Sequence, residues 1–326
     1  MLTTASPAPC LQDIPHGPTL VAIGNFDGVH LGHQAVLADT ARIARAHQWH
    51  PIALTFDPHP TVTIGRIAPA CLTPTERKVE LIKRMDPALC VVVLPFDSRL
   101  AAQSPEEFVQ TTLVEALGAT GVRVGENFRF GARRSGNLQT LRDFGAKLGF
   151  DVDAVPVLGD HHGKFSSTRA RHAVAAGDLE DARTILSRPH SLSGTVVEGQ
   201  QKARTLGFPT ANLHWVQEAL PPHGVYSVAV DHLAGNGPAG KLGLGVCSIG
   251  ARPTLDAGFA VETHVFDFEG NLYGSRLRIH LMHRLRPEKK FASVSDLKAH
   301  IEVDARVAKT QLEGLLASTN TNGTWF

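Results

Sequence analysis

Cysteine is scarce. Cys10, Cys71, Cys90 and Cys247 are the four in 326 residues, and no two form a C-x-x-C pair. That excludes a disulfide framework and a thiolate metal knuckle, and it leads us to expect free thiols in a reducing cytoplasm. No charge of one sign dominates, since 32 Lys and Arg face 31 Asp and Glu for a formal net charge of +1. A global electrostatic case for nucleic acid or a membrane surface is therefore missing. No apolar run is long enough to span a bilayer, and no charged-then-apolar leader opens the sequence. Internal repeats and low-complexity tracts are absent. So are a Walker loop and a G-x-G-x-x-G fingerprint. What remains is ordinary, with 43% hydrophobic and 19% charged residues over a length that allows two cores. Residues 1 to about 18, rich in Pro and Thr, are expected to be loosely held.

One stretch organises the chain: Gly24-Asn25-Phe26-Asp27-Gly28-Val29-His30-Leu31-Gly32-His33. It follows an apolar run, Leu20 to Ile23, that reads as a buried strand. It precedes Val36, Leu37, Ala41 and Ala44, which recur at helical spacing. A Gly-rich turn thus joins a strand to a helix N-terminus, whose unpaired N–H groups and positive dipole end suit phosphate. With no lysine in the turn, His30 and His33 must supply the polar contacts. Asp27 either helps to position them or stabilises the turn.

Further strand signals are Ile52 to Phe56, Leu89 to Leu94, Val122 to Val124 and Phe150 to Val157. Between the third and fourth strands, Ser104-Pro105-Glu106-Glu107 reads as a capping box with Pro at the first helical position. Alternating strand and helix predicts a doubly wound parallel sheet, with ligands beyond the carboxyl ends of its strands. The motifs fall there. Phe56-Asp57-Pro58-His59-Pro60 predicts a rigid extended loop holding His59. Gly125-Glu126-Asn127-Phe128-Arg129-Phe130 offers an amide for a base or ribose and two aromatics for a flat ring. In Lys164-Phe165-Ser166-Ser167-Thr168-Arg169-Ala170-Arg171, cations sit in the first turn of a helix, against its dipole, which implies a bound anion.

A capped helix is predicted from Asp178 to about Leu186, and after Pro189 the pattern changes. Leu192 to Val197, Val225 to Val230, Leu242 to Cys247, Ala260 to Phe268 and Ser275 to Met282 alternate with period two. Short strands with Gly and Pro turns predict a closed antiparallel barrel. A C-terminal helix is predicted with Leu297, Ile301, Ala305, Ala308 and Leu312 on one face and Ser295 as its cap. Within Gly207-Phe208-Pro209-Thr210-Ala211-Asn212, the Thr210 hydroxyl and the Asn212 amide point to one side of an extended segment. These hard oxygens suit one magnesium ion bridged to ATP phosphates. Glu262 sits on an alternating strand, where an acid alone says little. His280 and His283 are not a credible metal pair, because alternation puts them on opposite faces.

The first motif resembles the H-x-G-H signature of adenylyltransferases. In its longer form, GNFDGVHLGHQ, it is similar to the bifunctional bacterial riboflavin kinase/FAD synthetase family. The F-x-P-H-P string, the S-S-T-x-x-R signature at Ser166 to Arg171 and the P-T-A-N string fit the same family. So do Pro221, Gly224-Val225-Tyr226, Gly250-Ala251-Arg252-Pro253-Thr254 and Leu272-Tyr273-Gly274. The resemblance runs from about Leu20 to Asp304. It implies an FMN adenylyltransferase domain over 1–186 and a riboflavin kinase barrel with a C-terminal helix over 187–326. It implies ATP as co-substrate, Mg2+, and riboflavin, FMN and FAD as substrates and products. His30 and His33 would contact ATP phosphates, with Gly24, Phe26, Asp27 and Gly32 forming the turn. Ser167, Thr168 and Arg171 would hold the β- and γ-phosphates, with Lys164 nearby as a further phosphate contact. His59, Asn127, Phe128 and Phe130 would meet flavin or nucleotide. Thr210 and Asn212 would bind the metal, and Glu262 would take the proton from the riboflavin 5′-hydroxyl.

One departure stands out. The family's G-x-G-x-G-R-x-L-G loop reads here Gly199-Gln200-Gln201-Lys202-Ala203-Arg204-Thr205-Leu206-Gly207. Gln201 and Ala203 replace usual glycines, at which positive φ would be strained. Lys202 and Arg204 become the phosphate candidates of that loop. Ser187 likewise replaces a usual Gly at the junction. The expectation is thus a cytoplasmic enzyme of small molecules, monomeric or weakly homo-oligomeric. A second reading keeps only the synthetase and makes the barrel a flavin holder. A third reads Arg276, Arg278, Arg284, Arg286, Lys289 and Lys290 as a basic stripe for nucleic acid.

Overall fold

The computed structural model describes residues 14–65, 67–199, 207–233, 240–251, 259–316 and 324–326. Two compact units meet in sequence between Ser167 and Thr168.

Five parallel strands build the first unit: β1 (Thr19–Ile23), β2 (His50–Asp57), β3 (Cys90–Pro95), β4 (Ala119–Gly125) and β5 (Asp151–Val155). Their order is β3-β2-β1-β4-β5, with Val21 paired to Ile52 on one side and to Val122 on the other. The central strands are covered on both faces, which is why β1 is apolar almost throughout. All five residues of β1 are buried. Val21 and Ile23 join Leu54 and Val124 against Val109, Leu113 and Leu141. Ala22 and Ala53 face the other way, against α1 (Leu31–His47) and α2 (Thr75–Met85) through Leu37, Ala41 and Ile82. Cutting fully buried Leu54 back to Ala would cost about 2–5 kcal/mol. The capping box is present in full, since the Glu107 N–H donates to Ser104 Oγ (3.1 Å) and the Ser104 N–H to Glu107 Oε2 (2.7 Å). The helix it starts at Pro105 continues as a π-helix over Phe108–Ala116. A further long helix, α3 (Leu138–Leu148), is capped by Asn137 and stops at Gly149 in the left-handed region.

The second unit opens with α4 (Ser167–Ala176, its first residue closing the first unit) and α5 (Leu179–Leu186, capped by Asp178). Six antiparallel strands follow: β6 (Ser191–Val197), β7 (Ala211–His214), β8 (Gly224–Leu233), β9 (Gly240–Ala251), β10 (Phe259–Val265) and β11 (Arg276–Pro287). They close into a barrel in the order β6-β7-β10-β9-β8-β11. Inward residues such as Tyr226, Val228, Cys247, Ile249, Val261 and Ile279 fill it. Burial pushes the Cys247 thiol up to about 12, so it behaves as a small core residue. The three described cysteines are all free. β7 is the one strand that the alternation did not reveal. Outside β8 and β9 lies α6 (Val294–Leu316), with Ala308 and Leu312 buried against Val225, Val246 and Leu244. Its cap is Ser293, not Ser295, because Ser293 Oγ accepts the Asp296 N–H (3.0 Å) while Ser295 already lies within the first turn. Among the described residues no helix is long and apolar enough to cross a membrane.

Candidate active sites

The first site grows from the carboxyl end of β1, where β1 stands between β2 and β4. Beyond that edge the strand order reverses and open sheets bind ligands. Phe26, Gly28 and Val29 all have positive φ. Phe26 and Val29 are each 1% exposed, and their burial offsets the backbone strain. Phe26 can therefore offer a ligand only its backbone. A Cβ on Gly24 would stand 2.8 Å from the Phe26 ring. Of the two roles open to Asp27, stabilising the turn is the one its contacts fill. Its carboxylate accepts the Leu72 N–H (3.0 and 3.2 Å), the Thr73 N–H (2.9 Å) and the Thr73 hydroxyl (3.3 Å). Its carbonyl accepts the Ser167 hydroxyl at 2.8 Å, tying the two signatures together.

His30 caps α1, and its Nδ1 accepts the His33 N–H at 3.3 Å. The two imidazoles stack with centroids 3.6 Å apart, and Phe26 meets His33 edge-on at 5.3 Å. A Cβ on Gly32 would crowd the His30 ring at 3.1 Å and the Phe165 carbonyl at 3.4 Å. The first turn of α1 contains no acid. A rigid pair of imidazoles thus stands at a helix end that favours anions.

The loop after β2 is not the extended segment its prolines suggested. Asp57–Pro58 is cis, and Pro60 opens a one-turn helix, Pro60–Thr63, with His59 as its cap. A proline at the first helical position gives up no hydrogen bond, which is why the chain can turn there. His59 Nδ1 accepts the Thr61 N–H (3.3 Å), and Nε2 lies 3.0 Å from the Asn25 amide. The G-N-F-D-G and P-H-P turns are in direct contact. After β4, Phe130 is 7% exposed and packs against Phe108, so it belongs to the core. Phe128 stacks on it at 5.5 Å and, with Asn127 and Arg142, lines a shallow cleft of about 400 Å³. Lys164 is exposed on a two-stranded ribbon, Gly159–Asp160 with Gly163–Lys164.

In the second unit Thr168 is exposed and Arg171 half-buried on α4. Arg169 is held by Asp181 through bonds of 2.5 and 3.2 Å, so it ties α4 to α5. The barrel carries a cavity of about 450 Å³, lined among others by Gly199, Thr210, Asn212, Phe268, Leu272 and Tyr273. Asn212 pairs directly with Glu262 across β7 and β10, and Glu262 pairs with Ser248 on β9. Their flanking residues Ala211, Leu213, Val261 and Thr263 are buried in the barrel, so Asn212 and Glu262 project together from its outer face. Glu262 lies beside the cavity lining, not within it. A Cβ on Gly199 would overlap the Asn212 amide at 2.3 Å. His264, which sequence reasoning missed, holds the P-T-A-N segment in place, its Nδ1 being 2.9 Å from the Pro209 carbonyl. Its signal was present, since it lies two residues after Glu262 on the same face. Lys202, Arg204, Gln201, Ala203 and Arg252 to Thr254 lie outside the described residues.

Magnesium fits the donor chemistry here. Thr210 and Asn212 offer hard oxygens. Among the described residues no three His, Cys, Asp or Glu gather as a metal cage. Of the six cations of the candidate nucleic-acid stripe, Arg284, Lys289 and Lys290 are exposed, while others are spent on the barrel's own contacts. Arg278 is 3% exposed, Arg286 is paired with Asp304 (2.8 Å), and Arg284 donates to the His223 carbonyl. His280 is buried against Asp231 (2.8 Å) while His283 is exposed, so the two do not converge.

A parallel sheet with two stacked histidines at a helix N-terminus, joined in sequence to a closed barrel with a polar outer row, has the two-part build of a two-domain enzyme, and the families that its halves match make it one of the transferase class. Residues 13–169 match the FAD synthetase family and residues 186–312 the riboflavin kinase family. Three bacterial proteins, each a bifunctional riboflavin kinase/FMN adenylyltransferase, are similar over most of their length. They come from Haemophilus influenzae (35% identity, covering 89% of this chain and 92% of that protein), Escherichia coli K12 (36%, 92% and 94%) and Pseudomonas fluorescens (37%, 90% and 93%). A crystal structure described as a macrolide-efflux protein from Streptococcus pneumoniae is also similar, with TM-score 0.78 and 27% identity over 92% of this chain and 96% of that one. The chain belongs to the bifunctional riboflavin kinase/FMN adenylyltransferase family. It makes FMN from riboflavin and ATP in its C-terminal part, releasing ADP, and FAD from FMN and ATP in its N-terminal part, releasing pyrophosphate.

Proposed function

We propose that the stacked histidines at the start of α1 and the Asn212–Glu262 row on the barrel carry these two reactions. In the first, a phosphate oxygen of FMN attacks the α-phosphorus of ATP. The bond from that phosphorus to the bridging oxygen breaks, and pyrophosphate leaves. No protein nucleophile is needed, so catalysis is positioning and charge neutralisation. His30 and His33 contact the ATP phosphates from the helix end, and Ser167, Thr168, Arg171 and Lys164 hold the leaving pyrophosphate. His59, Asn127 and Phe128 meet the nucleotide or flavin. In the second, Glu262 accepts the proton of the riboflavin 5′-hydroxyl as its oxygen attacks the γ-phosphorus of ATP and ADP leaves. Thr210 and Asn212 would hold magnesium, which when bound neutralises charge on the ATP phosphates. Lys202 and Arg204 are the further phosphate contacts of this site.

The observation that supports this reading is the shared register of Asn212 and Glu262, which sets an amide and a carboxylate side by side on neighbouring strands. We place the functional boundary at 186/187, supported by the start of the riboflavin kinase match at 186. The working setting we propose is the cytoplasm, with the chain monomeric or weakly homo-oligomeric and no nucleic-acid partner. The test is one incubation with riboflavin, ATP and magnesium, read by flavin chromatography. Both FMN and FAD form. His30→Ala with His33→Ala stops at FMN, and Glu262→Ala leaves riboflavin unchanged while added FMN still becomes FAD. Unimpaired FAD formation in the histidine variant overturns the first assignment, and unimpaired FMN formation in Glu262→Ala overturns the second.

A further inference from the structure

Lys78 is the one lysine buried among the described residues, at 6% exposure in the first turns of α2. Its ammonium donates to Thr55 Oγ1 (3.3 Å) and to the Phe56 carbonyl (3.4 Å). The Thr55 hydroxyl in turn donates to the Asn25 carbonyl (3.0 Å), and the Asn25 amide lies against His59 Nε2 (3.0 Å). The chain of contacts runs from Lys78 through Thr55 and Asn25 to His59. It joins α2 to both turns that emerge from the carboxyl ends of β1 and β2. Burial lowers the Lys78 pKa, while the charges of Asp27, Asp57 and the Cys71 thiol oppose that fall. An ammonium in such a place costs desolvation that an apolar side chain of the same length would not. Leu81 and Ile82 supply the apolar contact of α2 with the sheet, so the charge of Lys78 serves the turns above it, including the buried carboxylate of Asp27.

We propose that Lys78 is a positioning residue for adenylyl transfer, locking the Asn25 and His59 turns into one shelf and setting a fixed positive charge behind the anion-binding turn. This rests on the reading of the first site given above. The charge acts over a short, water-poor path, where it is worth more than a surface lysine. The shelf acts by geometry, because Asn25 and the end of β2 help to hold His59, beside its own bond from the Thr61 N–H. Lys78 touches neither substrate nor the reacting atoms.

The test compares Lys78→Met, Lys78→Arg and Thr55→Val in the full-length chain, with FMN and ATP as substrates and FAD formation as the readout. Lys78→Met keeps the length and removes the charge and both donors. A small displacement at the reacting centre is worth on the order of 10- to 100-fold, and that is the expected loss of kcat. The KM for FMN is expected to stay within about 2-fold, because binding contacts are not removed. Lys78→Arg, which keeps the charge and donors, recovers most of the loss. Thr55→Val, which breaks the relay but leaves the charge, falls between. Melting temperature is measured alongside. A Lys78→Met protein that melts lower yet turns over within about 2-fold of the parent below its melting point overturns the proposal, as does equal loss in Lys78→Arg and Lys78→Met with Thr55→Val unaffected. If Lys78→Met or Lys78→Arg fails to fold, Thr55→Val decides alone, with an unchanged kcat counting against the relay. The His30→Ala, His33→Ala variant separates the two levels of failure. If it still makes FAD, the site reading is wrong. If it does not, while Lys78→Met does, only the role of Lys78 is wrong.

Discussion

Asp27→Ala should loosen the first site by an amount that can be worked out beforehand. Asp27, Leu72 and Thr73 are 6%, 2% and 6% exposed, so water does not replace the lost carboxylate freely. The variant strands the Leu72 and Thr73 backbone N–H groups, and each buried donor left unmade costs about 1–3 kcal/mol. The expected loss is therefore about 2–6 kcal/mol, concentrated on the loop around residue 72. Asp27→Asn can keep the oxygen that accepts both the Leu72 N–H (3.0 Å) and the Thr73 N–H (2.9 Å) and turns an N–H₂ only to the longer Leu72 contact (3.2 Å), so it should lose less than Asp27→Ala. Hydrogen exchange followed by mass spectrometry reads this directly, because the Leu72 and Thr73 amides exchange through that same opening. FAD formation should fall with it, since the Asp27 carbonyl also anchors Ser167. A change in the opening free energy of these amides below about 0.5 kcal/mol in Asp27→Ala would refute the reasoning.

Other consequences can be checked with less effort. Gly32→Ala should lower FAD formation while sparing FMN formation in the same chromatographic assay, because its Cβ would press on the His30 ring at 3.1 Å. His264→Ala releases the Pro209 carbonyl and should raise the KM for ATP in FMN formation more than it lowers kcat, as steady-state kinetics would reveal. Ser293→Ala removes the cap of α6 and should cost about 1 kcal/mol in urea unfolding, whereas Ser295→Ala should cost little. Burial raises the Glu218 pKa in the folded protein above the ordinary carboxylate value. The folded state then holds that proton more tightly than the unfolded state, so this group's contribution to stability is lost as pH rises from the unfolded value through the folded one. Glu218→Gln should flatten that slope, and stability measured from pH 4 to 8 should diverge from the parent toward neutral pH.

The legible parts of the molecule were those in which local pattern and tertiary need agree. β1 declared itself by an unbroken apolar run and α1 by a period of 3.6, and the Ser104 capping box is written in four consecutive residues. The barrel strands alternate because one face is core. What was not legible came from contacts between distant segments. Nothing local says that Asp27 serves Leu72 and Thr73, 45 and 46 residues on, or that Arg169 spends its charge on Asp181. Phe128 and Phe130 read alike, and only packing against Phe108 sends one into the core. β7 is four residues long, too short for alternation to register. The P-H-P turn was misjudged because Pro restricts the residue before it yet also opens helices, and the Thr61 bond to His59 decides between the two. Lys78 was hidden for the same reason as Asp27, since a lysine in a charged helix looks solvated until its neighbours are known.

The pairing of Asn212 with Glu262 makes the barrel site sensitive to reading frame. β7 is held on one side by β6 and on the other by β10, and consecutive residues face opposite ways. A single-residue insertion between Thr210 and Asn212 would turn the amide toward the core and bring an apolar side chain outward beside Glu262. Loss of the oxygen ligand and exposure of a core residue would arrive as one event. Chains with such a slip would be poorly packed as well as inactive, so the strand that presents the chemistry also guards its own alignment.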